Sequence, residues 1–242
     1  MKAFIFAAGL GTRLRPLTDH TPKALVEIQG KPLLEHVLQN LMAAGFDDFV
    51  INIHHFGQQI IDFLESRQNF GVEIRISDER EQLLDTGGAI KKARPLLGNE
   101  PFLIHNVDIF SNADTAKLMD MHLQAGNEAS LLVSKRTSSR QLLFEDNLLC
   151  AWRNTQTDEV KGPYKQRALN DLQAYAFSGI HVFSPKLFDR MDLYPDKFSI
   201  IDFYLDACAD CRIGALQQDG LRLLDVGKID QLDEAQRFIS ER

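Results

Sequence analysis

Cysteine is scarce, three residues in 242, which removes the disulfide-stapled class of small secreted domains. Cys208 and Cys211 do form a C-x-x-C, "CADC". A structural zinc would want two further ligands at matching spacing, and Cys150 alone does not supply them. A redox pair sits between a strand and the start of its helix, whereas "CADC" is expected to close a helix. Long apolar runs are also missing: no stretch approaches the roughly 20 residues that span a bilayer. The start "MKAFIFAAGL" is cut by glycine and followed at once by Arg13 and Arg15, which does not fit a secretion signal. The expected address is the cytoplasm, with no membrane partner. Nor is there an excess of positive charge. The formal net charge is −7, which gives no general steering toward nucleic acid, so any anion must be held by local geometry. Internal repeats and linkers rich in Pro, Gly or Ser are absent, and a single domain over residues 1–242 is expected.

What is present is alternation. "KAFIF" reads as a buried strand. "KPLLEHVLQNLMAAG" has Pro32 near its start, Leu33, Val37 and Leu41 on one face and Gly45 as a stop, the marks of a helix. Strands are then expected at 47–53, 71–77, 101–108 and 128–136, and helices at 57–67, 87–97 and 112–126. This rhythm is that of βαβ units and a mainly parallel sheet. The expected class is α/β: a three-layer, Rossmann-like nucleotide-binding fold with a mixed, mostly parallel sheet and helices on both faces. After about Arg136 the rhythm changes. "QLLFEDNLLCAWRN" reads as two strands around an "EDN" turn, and the polar stretch 155–171 as a loop able to act as a lid. "LQAYAFSGIHVFS" is a strand, "SIIDFYLDACAD" a helix, two short strands end in "LRLLDVG", and the last segment is an amphipathic helix. Trp152, the single tryptophan, is expected in the core. His54 and His55 are expected in a strand-end turn, because neighbours on a strand point to opposite faces and do not chelate one ion.

Ligands of such sheets collect at the carboxyl ends of strands. Asp108 falls at one such end, and "FAAGLGTRLRPLTDHTPKAL" (residues 6–25) at another. A dinucleotide fingerprint would need a third glycine or an alanine where Leu14 stands, and Pro16 interrupts any helix. A Walker A loop would need Gly-Lys-Ser or Gly-Lys-Thr, and neither occurs. The remaining scheme wraps phosphates in backbone N–H groups. Gly9 and Gly11 allow the close approach, Arg13 offers a planar fork, and Lys23, presented by Pro22, a compact charge.

These residues carry a resemblance. "AAGLGTRLRPLTDHTPKALVEIQGKPLLEH" resembles the signature of the sugar-phosphate nucleotidyltransferases, and the similarity continues through "DTGGAI", "FLIHNVD", "FSGIHVF" and "LLDVGKIDQLDEA". Within that family the short chain is most similar to the N-acetylmuramate 1-phosphate uridylyltransferases of bacterial cell-wall recycling. The resemblance implies transfer of a nucleotidyl group from a nucleoside triphosphate, UTP by preference, to a sugar 1-phosphate, with pyrophosphate released. It implies nucleotide held by residues 1–136 and sugar phosphate by 137–242. It gives Arg13 and Lys23 the catalytic roles, and Ala8, Gly9, Gly11, Thr12, Gln82, Gly87 and Asn106 contact with the nucleotide. Asn154, Ser178 and Gly179 fall on the sugar-phosphate side, and Asp108 and Asp225 would ligate Mg²⁺. Two departures bear on the sugar: Val107 stands where relatives carry glycine, and "WRNTQT" stands where they often carry Glu-Lys-Pro. Arg153 or a residue of the polar loop then has to substitute. A guanylyl- or cytidylyltransferase acting on another sugar phosphate or phospho-alcohol competes with this reading. So does a non-catalytic nucleotide-binding regulator, against which Lys23, Asp108 and Asp225 all argue. No seam for self-association is readable, and the oligomeric state stays open.

Overall fold

The structure, a computed structural model, describes residues 1–165 and 169–241. The chain runs β1 (Lys2–Phe6), β2 (Glu27–Ile28), β3 (Lys31–Pro32), α1 (Leu33–Ala43), β4 (Asp48–Ile53), α2 (Gly57–Ser66), β5 (Glu73–Asp78) and α3 (Asp85–Leu97). It continues with β6 (Phe102–Asn106), β7 (Ile109–Ser111), α4 (Thr115–Ala125) and β8 (Ala129–Ser134). Then come β9 (Arg140–Glu145), β10 (Leu148–Asn154), β11 (Val160–Lys161), β12 (Gln173–Phe183) and α5 (Phe188–Met191). Last are α6 (Ile200–Ala207), β13 (Ile213–Leu216), β14 (Leu223–Asp225) and α7 (Leu232–Ser240). The stop signals act as expected. Gly45 follows α1 at φ 88°, a left-handed conformation that glycine adopts without a Cβ penalty. α3 starts two residues ahead of the glycines that were expected to open it. "CADC" closes α6, with Cys208 buried at its end, and no disulfide joins the described cysteines.

Ten strands form one sheet in the order β11-β10-β13-β8-β12-β6-β1-β4-β5, with β9 paired to both β10 and β12. β5, β4, β1 and β6 are parallel neighbours, and β13 runs parallel to β8. β12 is antiparallel to β6, β8 and β9, and β10 to β9, β11 and β13. The sheet is therefore mixed, with every strand except β10 and β12 pointing one way and the parallel run β5-β4-β1-β6 where the sequence rhythm predicted it.

Period-two alternation places helices on both faces. Ala3 and Ile5 of β1 share a core with Leu34 of α1, Ile60 of α2, Leu118 of α4 and Phe238 of α7. Phe4, between them, points into a second core with Ile90 of α3, Phe188 of α5 and Phe203 of α6. Trp152 packs against that second core with Lys161 over its ring. Of the stretch 155–171 expected as a lid, β11 pairs at the sheet edge with β10, Leu169–Asp171 form a turn, and residues 166–168 lie outside the described residues. No helix among the described residues is long and apolar enough to cross a membrane.

Two buried histidines make the fold sensitive to acid. His181 has neither ring nitrogen hydrogen-bonded, and burial, then the charge of His105, push its pKa down to about 3. His122 is held between the hydroxyls of Ser130 and Ser184, both at 2.9 Å, and burial pushes it down to about 4. In the unfolded chain both titrate near 6.5. Below that pH the unfolded state binds more protons, so stability is full above 6.5 and falls as pH drops toward 4. Between pH 7 and 5 the loss should be about 2 kcal/mol per histidine. The check is the urea midpoint against pH: His181→Leu should flatten the slope, and an unaltered slope would contradict this account.

Candidate active site

The glycine loop leaves the carboxyl end of β1. Asn52 of β4 fixes its first residues, its Oδ1 accepting from the N–H groups of Ala7 at 2.7 Å and Ala8 at 3.3 Å. Asn52 in turn donates to the buried carboxylate of Glu79 at 2.7 Å, whose other oxygen accepts from the Leu84 N–H at 3.1 Å. Burial raises the Glu79 pKa, and the bond from Asn52 works against that. Gly11 turns the loop back at φ 64°. Its carbonyl accepts from the Thr18 hydroxyl at 2.8 Å, and a Cβ here would lie 2.8 Å from the Thr18 methyl. The returning segment carries Lys23, 8% exposed, back under the loop.

Asp108 meets Lys23, and Asp225 stands beside Asp108. β7 and β14 form a two-stranded ribbon that pairs Asp225 with Ile109, and the Val226 N–H donates to the Asp108 carbonyl at 2.8 Å. Asp108 is thereby set beside Asp225, and Lys23 Nζ donates to the Asp108 carboxylate. Burial, then the charge of Asp108, raise the pKa of Asp225, while Lys23, Arg13 and Arg136 pull it back. Asp225 Oδ1 is buried with no hydrogen-bond partner. A Cβ on Gly227 would lie 2.8 Å from that oxygen and 3.1 Å from Arg13 Nη2, so Arg13 and Asp225 converge around a residue that has to be small.

Above these groups opens a cleft of about 500 Å³ at the carboxyl ends of β1, β4 and β6, where Phe6, Asn52 and Asn106 line it. The glycine loop, Asp108, Leu83, Asp85, Thr86 and Lys197 complete its lining. Backbone N–H groups of the glycine loop, the cations Arg13 and Lys23 and the carboxylate of Asp108 share this lining. Such an arrangement can hold phosphates and stabilise charge that develops on them.

A nucleotidyl transferase family model matches residues 2–143. The N-acetylmuramate alpha-1-phosphate uridylyltransferase of Neisseria meningitidis serogroup B is 34% identical over 238 residues, covering 98% of this chain and 97% of that protein. The enzyme of that name from Caulobacter vibrioides is 33% identical over 90% of this chain and 89% of its own length. The chain belongs to the nucleotidyl transferase family. The fold agrees: the crystal structure of a putative glucose-1-phosphate thymidylyltransferase from Bacillus anthracis superposes with a TM-score of 0.82 at 18% identity, covering 100% of this chain and 96% of that one.

In this nucleotidyltransferase the predicted residues Ala8, Gly9, Gly11, Thr12, Arg13, Lys23, Asn106 and Asp108 line the one cleft, and Asp225 adjoins it through Gly227. Val107 lines it too, with its side chain in the core. Others stand elsewhere. Gln82 is exposed and outside the lining. Asn154 ends β10, where its side chain accepts from the Gln156 N–H at 3.0 Å. Ser178 is buried, and its hydroxyl accepts from the Ile180 N–H at 3.0 Å where β12 slips register against β8. Gly179, at φ 82°, lies against Asn106, whose Nδ2 a Cβ would meet at 2.7 Å. His54 and His55 follow β4 in a turn.

Gly87 has a cause that local sequence does not display. A Cβ there would lie 2.3 Å from the Phe198 ring, and one on Gly88 would lie 2.0 Å from the Asp196 carbonyl oxygen. Both N–H groups donate to the Phe198 carbonyl, at 2.9 and 3.3 Å. The segment that approaches these glycines is therefore the chain's own, and its docking delivers Lys197 to the cleft. Gly88→Ala should lower the urea midpoint by the equivalent of about 2–3 kcal/mol, as overpacking against backbone does, and weaken nucleotide affinity with it. A midpoint equal to wild type would show that this contact is not close. Lys197, Asn52, Glu79 and Gly227 are the site residues that sequence reasoning missed. The one signal available was a polar Asn inside the apolar strand "FVINI".

Proposed function

We propose that this enzyme transfers the uridylyl group of UTP to N-acetylmuramate 1-phosphate. The observation that carries the reading is the convergence of Arg13, Lys23 and Asp108 in the cleft lining with Asp225 adjoining them, supported by the names of two relatives matched over nearly the whole chain. An acceptor phosphate oxygen bonds to the α-phosphorus as the bridging bond to the β-phosphate breaks, and pyrophosphate leaves with the electron pair. Gly9, Gly11 and Thr12 hold the β- and γ-phosphates through backbone N–H groups, and Arg13 follows the leaving pyrophosphate. Lys23 stabilises charge on the α-phosphate. Ala8 and Asn106 touch the nucleoside. Asn154, Ser178 and Gly179 belong to the acceptor side, so residues 1–136 handle the nucleotide and 137–242 the sugar within one domain.

The carboxylate pair fits a divalent ion. Asp225 offers a buried oxygen without a partner, and hard oxygen donors completed by water and phosphate suit Mg²⁺. Among the described residues no cluster of three or more potential ligands occurs. Held by Asp108 and Asp225, Mg²⁺ would supply positive charge to the phosphate oxygens. A nucleoside triphosphate donor places the work in the cytoplasm, and a muramate acceptor places it in cell-wall recycling.

The test is pyrophosphate release with Mg²⁺ across UTP, dTTP, GTP, CTP and ATP, each against a panel of sugar 1-phosphates. The expected signal is UTP with N-acetylmuramate 1-phosphate. A stronger signal with GTP or CTP would reassign the base, and nucleotide binding with no turnover anywhere would make the chain a regulator.

A further inference from the structure

Beyond β8 the chain places cations that the nucleotide site does not use. Lys135 and Arg136 follow Ser134 and are exposed. With Arg222 they edge a second cavity of about 480 Å³, walled by Leu223 and Leu224 of β14 and by Phe238 of α7. The next residue of β14 is Asp225, so this cavity and one member of the carboxylate pair share a strand. Arg222 is already engaged, bonded to Glu241 and lying 5.0 Å over the Phe238 ring. Lys135 and Arg136 have no carboxylate within 4 Å among the described residues.

Arg136 is nevertheless aimed. Its Nη2 donates to the Phe177 carbonyl at 3.0 Å, one residue before the Ser178–Gly179 bulge that lies against Asn106 of the cleft. A guanidinium carries five N–H donors. One bond to a backbone carbonyl orients the fork and leaves the others for a planar oxyanion.

We propose that Arg136, assisted by Lys135, binds an oxyanion of the acceptor and selects acidic or phosphorylated sugars. The inference rests on the reading of the chain as a sugar-phosphate uridylyltransferase and adds a residue that the family resemblance did not supply. It also answers the missing Glu-Lys-Pro with a cation from the segment after β8 in place of Arg153, which donates to Gln141 at 2.8 Å. Two groups share the required chemistry: the 1-phosphate, and a carboxylate on the sugar such as muramate carries.

Steady-state kinetics of Arg136→Ala and Arg136→Lys, with N-acetylmuramate 1-phosphate and N-acetylglucosamine 1-phosphate as acceptors, test it. Arg136→Ala should raise the acceptor KM at least tenfold and leave the UTP KM within twofold, with Arg136→Lys in between because it keeps the charge and loses the fork. A rise with both acceptors identifies the 1-phosphate as the group held, and a rise with the muramate alone identifies the carboxylate. Unchanged acceptor KM in both variants, or an equal rise in the UTP KM, overturns the inference while the reaction stands. A wild-type enzyme silent with every sugar phosphate removes the reaction and the inference together.

Discussion

Replacing Lys23 with methionine should lower kcat by about a thousandfold, the upper end of the 10²–10³ lost when one preorganised donor to developing charge is removed. Lys23 is nearly buried and ion-paired with Asp108, so its ammonium is already desolvated and fixed before substrate arrives. Little reorganisation is then needed when charge builds on the phosphates. Methionine keeps the length of the stem and removes the charge. It also leaves Asp108 without its cation beside Asp225, which adds repulsion where an anion must bind. The UTP KM should therefore rise as well. The double variant Lys23→Met with Asp108→Asn separates these effects. If the pair acts as a unit, the double variant loses no more than the worse single variant. Turnover of Lys23→Met within a few-fold of wild type would remove Lys23 from the centre.

How much of this was legible in the sequence depends on the range of the cause. β1, the glycine loop and Asp108 at a strand end are set by local pattern: an apolar run, glycines where the chain turns, and a polar residue where a strand stops. The same holds for α1, whose Pro32 and Gly45 mark both ends. Asp225 was found only through the resemblance, because its partner Asp108 lies over a hundred residues away and the ribbon joining them is three residues long on each side. Gly87 was expected against the nucleotide, and the atoms that approach it and Gly88 belong to Phe198 and Asp196. Lys197 stands in a polar stretch between two helices with no local mark of function. Its place in the cleft follows from those distant glycines. Asn52 and Glu79 were hidden for the same reason, since their importance lies in a bond between β4 and the loop after β5.

Asp225→Asn should move activity and stability in opposite directions. Asp225 is held at a raised pKa by burial and by the neighbouring carboxylate of Asp108, and its Oδ1 has no donor. A buried like-charged pair of this kind costs stability in the unliganded protein, as functional sites commonly do. Neutralising one member relieves the repulsion and leaves the Lys23–Asp108 pair intact, so the urea midpoint should rise. Turnover should fall by about 10²-fold or more, on the scale of a lost electrostatic contact in the transition state. The Mg²⁺ concentration giving half-maximal rate should rise with it. Asp108→Asn should lack the gain in stability, because it strips Lys23 of its partner and leaves a nearly buried ammonium uncompensated. A residue kept only for packing would lose stability and activity together when changed, so a lower midpoint in Asp225→Asn, with the Mg²⁺ dependence unchanged, would show that Asp225 serves the ribbon and not the reaction.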